Sequence, residues 1–205
     1  MTNRSVVRSA IAGFLIVASA APALAHVGHG ETHGLMHGFM HPIGGADHML
    51  AMVAVGILAA MLGGRALWMV PACFLAMMAG GAALAIGGIQ LPFVELGISL
   101  SVVALGLVVA LQLPLPIAAA MGVAGFFAVF HGYAHGSEMP LDASGASYAL
   151  GFLTATGILH LTGIAAGKGF SAGLATRGAA SRVAGGAIAL AGLFAIALAG
   201  LFLSV

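Results

Sequence analysis

Six long apolar runs, at 43–62, 66–87, 93–112, 115–138, 147–167 and 183–203, leave this chain very few folds to choose from. An α-helix needs about 20 apolar residues to cross the hydrocarbon core of a bilayer, and each run reaches that length. The runs are continuous, which excludes a membrane β-barrel, whose strands alternate apolar and polar residues. The breaks between the first four are short and built of glycine and proline: Gly63-Gly64, Gly87-Gly88 with Pro92, and Pro114-Leu115-Pro116. Such loops make consecutive helices antiparallel neighbours. The expected fold is all-α, a polytopic membrane bundle of six transmembrane helices forming a single domain over 43–205.

Composition closes off the alternatives. Only 5% of the 205 residues are charged while 61% are hydrophobic, against about a quarter charged in an ordinary soluble domain. A net charge of +1 leaves no basic face for nucleic acid. A single cysteine, Cys73, allows neither an internal disulfide nor a cysteine-built zinc site. Gly163 to Lys168 imitates a phosphate-binding loop, but its glycines are one residue too close and Gly169 stands where a serine or threonine is needed. No nucleotide site is expected, so transport would be of the secondary type or rely on a separate partner. Gly132 with Gly136 and Gly163 with Gly167 are four apart, a spacing that lets helix backbones approach closely in lipid. The 11 methionines read mostly as core filler.

Residues 1–25 read as a secretory signal, with Arg4 and Arg8 ahead of the apolar stretch Ala10–Ala20 and the small-residue box Ala23-Leu24-Ala25. The alternative is an uncleaved first helix, and both give the same topology. Cleavage would leave His26 as the periplasmic N-terminus. With residue 26 outside, Arg65, Lys168, Arg177 and Arg182 all fall inside, while Glu31 and Asp142 fall outside. That is the positive-inside pattern of a multi-pass protein of the bacterial inner membrane.

Against this background, nine histidines are conspicuous. Ionisable groups within a membrane are costly, about 2.5–3.5 kcal/mol for a charge at the centre on insertion scales, and they mark sites or pathways. The first cluster, His41-Pro42-Ile43-Gly44-Gly45-Ala46-Asp47-His48, opens the first run. Pro42 suits a first helical position, which would place His48 two turns on with Gly44 and Gly45 beneath it. Asp47 lies about 100° round the wheel and reads as an orienter of the site. The second cluster, Phe130 to Glu138, closes the fourth run. Its His131, His135 and Glu138, at i, i+4 and i+7, share about 60° of one helix face. Two imidazoles and a carboxylate suit a borderline divalent cation.

Both clusters fall in the outer leaflet, so they are expected to form one composite metal site of His41, Asp47, His48, His131, His135 and Glu138. Glu95, at similar depth, reads equally as a helix N-terminal anion. His160, about 20 Å into the fifth run at 1.5 Å per residue, is either an inner relay or a packing residue. The segment 26–42 carries His26, His29, His33, His37 and His41 among glycines, with Met36 and Met40. It reads as a metal-capturing periplasmic arm that is mobile until a bound ion orders it.

With these residues in view, the chain resembles the HupE/UreJ family of nickel permeases. The pattern HPxxGxDH is met by His41, Pro42, Gly45, Asp47 and His48, and FHxxAHGxE by Phe130, His131, Ala134, His135, Gly136 and Glu138. The resemblance covers the whole chain beyond the signal. It implies uptake of Ni²⁺, with Co²⁺ as the family alternative, across the bacterial inner membrane to supply hydrogenase or urease maturation. The ion is then cargo, with no permanently bound cofactor and no catalytic residue. Residue types alone do not choose nickel, because intrinsic affinity ranks copper above it.

Two other classes fit the same residues. An intramembrane hydrolase could use three histidines and an acid to hold a zinc-bound water, with Ser137 beside Glu138. A haem carrier could use paired histidines on two helices. Imidazole binds metal only when neutral, and its ordinary pKa is about 6.5, so a permease of this kind is expected to slow as the outside becomes acidic. Self-association into a homo-oligomer is left open by the sequence.

Overall fold

The computed structural model describes residues 34–139, 144–172 and 178–203. Seven α-helices lie in these residues: α1 (Gly34–Gly44), α2 (Ala46–Leu62), α3 (Ala66–Ile86), α4 (Val94–Ala110), α5 (Ile117–Ser137), α6 (Ser144–Ala172) and α7 (Ala179–Leu203). The proposed signal at 1–25 and His26, His29 and His33 lie outside the described residues.

The all-helical architecture holds, and the spans differ in detail. Four helices, α3, α5, α6 and α7, are long and apolar enough to cross a membrane. α1 and α2 together make a fifth such segment, bent by 82° at Gly45. α4, from the 93–112 run, has only 17 residues. Its ends are cut by Phe93 and Gln112, which take left-handed backbone conformations at φ 59° and 51° and so cannot continue a right-handed helix. The turn from α2 to α3 is tighter still, with Gly63 and Gly64 both at positive φ.

α2 is the hub. Ala51, Met52, Ala54, Val55, Ile57, Leu58 and Ala59 are all buried, so the helix is covered on every side, as one apolar all round should be. It packs against each of the other six helices. The outer faces instead expose large apolar side chains, including Trp68, Phe126, Leu161, Leu190 and Phe194. On a water-soluble surface so much contiguous apolar area would be a liability; facing acyl chains it costs nothing.

Close backbone approach joins the helices in pairs. A Cβ on Gly132 would run into the Met78 carbonyl and one on Gly136 into Ala82, which seats α5 on α3. Gly163 meets Val53 and Gly56, and Gly167 meets Ile57 and Ala60, which seats α6 on α2. The two four-residue glycine pairs therefore serve packing. Gly106 and Gly185 do the same for α4 and α7.

Two expectations for the stretch before α2 need correction. Residues 34–44 form a helix where glycine content argues for a mobile arm. Gly38 fits against the Tyr148 backbone and Gly151 against the Leu35 carbonyl, so contact with α6 supplies what local propensity does not. Pro42, in turn, sits near the end of α1 and not at the start of the next helix. Its missing N–H leaves the Gly38 carbonyl without a helical donor. The chain then turns through extended Gly45, and α2 begins at Ala46.

Candidate metal centre

The site is built by the start of α2, the end of α5 and the helix α1, whose His41 reaches Glu138. Gly45, at the N-cap of α2, offers no side chain for capping. Asp47 takes over: its Oδ1 accepts the His48 backbone N–H at 2.7 Å. The carboxylate thus fixes the first turn of α2, where an anion is also favoured by the helix dipole. It orients His48 through the backbone. His48 follows directly and is buried. On α5, Gly132 and Gly136 press toward α3, while the preceding His131 and His135 turn toward α2.

Three imidazoles meet there. His48 Nδ1 lies 3.1 Å from His131 Nδ1 and 3.0 Å from His135 Nε2. Ser101, buried on α4, settles which nitrogen of His131 carries the proton. Its hydroxyl donates to the Ile98 carbonyl at 2.6 Å, so its one hydrogen is used. Its oxygen therefore accepts from His131 Nε2–H at 2.7 Å. With the proton on Nε2, His131 Nδ1 points a lone pair at His48. One shared proton cannot satisfy three converging nitrogens, but a cation at their meeting point can. His48 Nε2, buried and without a hydrogen-bond partner, shows the same shortage of donors and acceptors.

A second group lies directly outward. His41 Nε2, on α1, is 2.8 Å from Glu138 Oε2, and His135 Nδ1 is 3.8 Å from the same oxygen. One donor atom from each of His41, His135 and Glu138 can be chosen so that all lie within 4.8 Å of one another, near enough to hold an ion. The His135 and His41 imidazoles beside it keep the Glu138 carboxyl well below the usual carboxylate range. The Glu138 side chain is 58% exposed and that of His41 24%, whereas His131 is fully buried. His135 belongs to both groups, one nitrogen facing each. Asp47 and Glu95 line the same cleft of about 380 Å³, together with His37 and both histidine groups.

The HupE/UreJ protein family matches residues 14–195, a stretch that holds every one of these side chains. The chain belongs to the HupE/UreJ family. Among its relatives, protein HupE of Rhizobium leguminosarum bv. viciae is 48% identical over 178 residues, covering 86% of this chain and 92% of that protein. No solved structure matches.

In this HupE/UreJ chain, His41, His48, His131, His135 and Glu138 come together. Asp47 and Glu95 stand on the cleft wall. His37 is exposed on α1, with its ring 6.0 Å from that of His41. His160 stands apart from both groups, buried on α6 against the Phe74 ring. Sequence reasoning missed Ser101, Tyr148, Phe152 and Phe74. Tyr148 and Phe152, one turn apart on α6, wall the site, and the Phe152 ring lies 4.4 Å from that of His135. The 93–112 run holds two serines, Ser99 and Ser101, and nothing in the spacing singles out Ser101 or ties it to a histidine 30 residues on.

Proposed function

We propose that this protein is a secondary-type permease that carries a divalent transition-metal ion inward across the bacterial inner membrane. Six spans follow a signal peptide, and the histidine end faces the periplasm. The ion is nickel, with cobalt as the second candidate, and it serves the maturation of a hydrogenase or urease. The observation that carries this reading is the meeting of His48, His131 and His135 in the buried interior, with the His131 proton parked on the far side against Ser101. The resemblance to HupE supports the cargo and its destination.

The outer group, half open to solvent, captures the hydrated ion through Glu138 and His41. A turn of the shared His135 delivers it to the buried trio, where the imidazoles take the place of its remaining water.

Nickel accumulation in cells, normalised to protein in the membrane, tests the proposal. His131→Ala is expected to lower uptake at least ten-fold. In Asp47→Asn the amide oxygen still accepts the His48 N–H, so a loss there isolates the carboxylate's charge on the cleft wall. Uptake equal to wild type in both variants would end the permease reading of these residues.

A further inference from the structure

The buried interior holds a second polar pair that the outer cluster does not use. On α6, His160 and Thr156 are one turn apart, and both are at least 99% buried. Neither ring nitrogen of His160, nor the Thr156 hydroxyl, has a hydrogen-bond partner. Buried polar groups in folded proteins nearly always find partners, and an exception asks for an explanation. These two lie together, on one face of one helix.

Their position is equally specific. The Phe74 ring of α3 stands 6.0 Å from the ring of His131 and 5.3 Å from that of His160. It is therefore in ring contact with a histidine of the outer cluster on one side and with His160 on the other. Along α2, the His160 backbone carbonyl comes against Gly56, eight residues or about 12 Å beyond His48 at 1.5 Å per residue. Five residues further, Met61 and Leu62 line a cavity of about 770 Å³ that opens at the opposite end of the bundle, beside Gln112 and Ser181. α6 runs alongside α2 in the same direction, since Val53 and Gly56 meet Gly163 while Ile57 and Ala60 meet Gly167. Helical side chains lean toward their own N-terminus, so His160 leans back toward Thr156 and the outer cluster.

We propose that His160 and Thr156 form an inner station for the transported divalent cation, parted from the outer cluster by Phe74, from which the ion passes to the cavity at Met61. This rests on the permease reading above. One imidazole nitrogen and one hydroxyl oxygen are few ligands for such an ion, which is what a transit station requires: binding strong enough to enter and weak enough to leave. Displacement of a single ring, Phe74, connects the two stations.

Initial rates of Ni²⁺ uptake into vesicles containing the full-length protein, measured across Ni²⁺ concentration, provide the test. His160→Asn keeps a polar side chain of similar size but ligates poorly. It is expected to lower the maximal rate at least ten-fold while leaving KM within two-fold of wild type, because capture happens at the outer cluster. His160→Cys, which restores a metal ligand, is expected to recover at least a third of that rate. A maximal rate for His160→Asn equal to wild type would make His160 a packing residue and overturn the inner station. If His160→Asn does not reach the membrane, His160→Gln is judged by the same criterion. Wild-type vesicles that take up no more Ni²⁺ than empty ones would instead bring down the permease reading itself.

Discussion

Ser101 shows how a single hydrogen bond can decide what a buried histidine is able to do. By accepting from His131 Nε2–H, it leaves Nδ1 bare and aimed at the other imidazoles. Supporting bonds of this kind are typically worth about 10–100-fold in metal affinity. Ser101→Ala is therefore expected to raise the KM for Ni²⁺ about ten-fold in vesicles, with Ser101→Thr close to wild type; an unchanged KM in the alanine variant would remove Ser101 from the site. Glu138 behaves differently with pH. Its carboxyl is held below the ordinary value of 4.5 by His135 and His41, so its stabilisation of the folded state is complete above that value and is lost only as pH falls through the lower, folded one. It stays ionised from pH 7.5 to 5.5. Glu138→Gln, which keeps the size of the side chain and removes its charge, is therefore expected to lower the initial uptake rate by the same factor at pH 7.5 and at pH 5.5. A factor that shrinks toward pH 5.5 would mean that the carboxylate titrates within that range.

At the scale of the helix, glycine separates positions where backbone must touch backbone from positions where it need not. On α5, a Cβ at Gly132 would collide with the Met78 carbonyl, while one at Gly122 would meet nothing within 4 Å. Gly132→Ala should destabilise by about 1–3 kcal/mol, the usual penalty for overpacking. Gly122→Ala should leave the thermal midpoint in detergent unchanged or slightly higher, since alanine is the better helix former. Equal midpoints would mean that the α3–α5 contact is not tight. The same contrast explains what was legible in the sequence. His131, His135 and Glu138 could be placed on one face because i, i+4, i+7 is a property of a single helix. Their meeting with His48 could be anticipated only as a shared depth, and the family patterns then grouped them. Ser101 and Phe74 could not be found, because their roles exist only once α4 and α3 are set against α5. The helix α1 was hidden for the same reason: glycines that weaken it alone are what allow it to lie against α6. The bend at Gly45 goes with this contact, and it is why Pro42, whose type suits a first helical position, lies near the end of α1.

For the molecule as a whole, charge is sorted by end. Among the described residues, Asp47, Glu95 and Glu138 lie at the end that carries the histidine cluster, while Arg65, Lys168 and Arg182 lie at the other, near the cavity lined by Gln112 and Gly178. An anionic, imidazole-lined mouth favours divalent cations on the side it faces, and a basic end is the one that stays cytoplasmic under the positive-inside rule. Both features are what the inward transport proposed above requires. Gln90, exposed in the α3–α4 turn, belongs to the histidine end; Leu113, in the α4–α5 turn, belongs to the basic end. In a Cys73→Ser background, Gln90→Cys is expected to react with a membrane-impermeant maleimide in intact spheroplasts, and Leu113→Cys only after lysis. The reverse pattern would turn the cleft toward the cytoplasm. The same ladder of sites would then describe export, and nickel accumulation in expressing cells would have to fall where uptake requires it to rise.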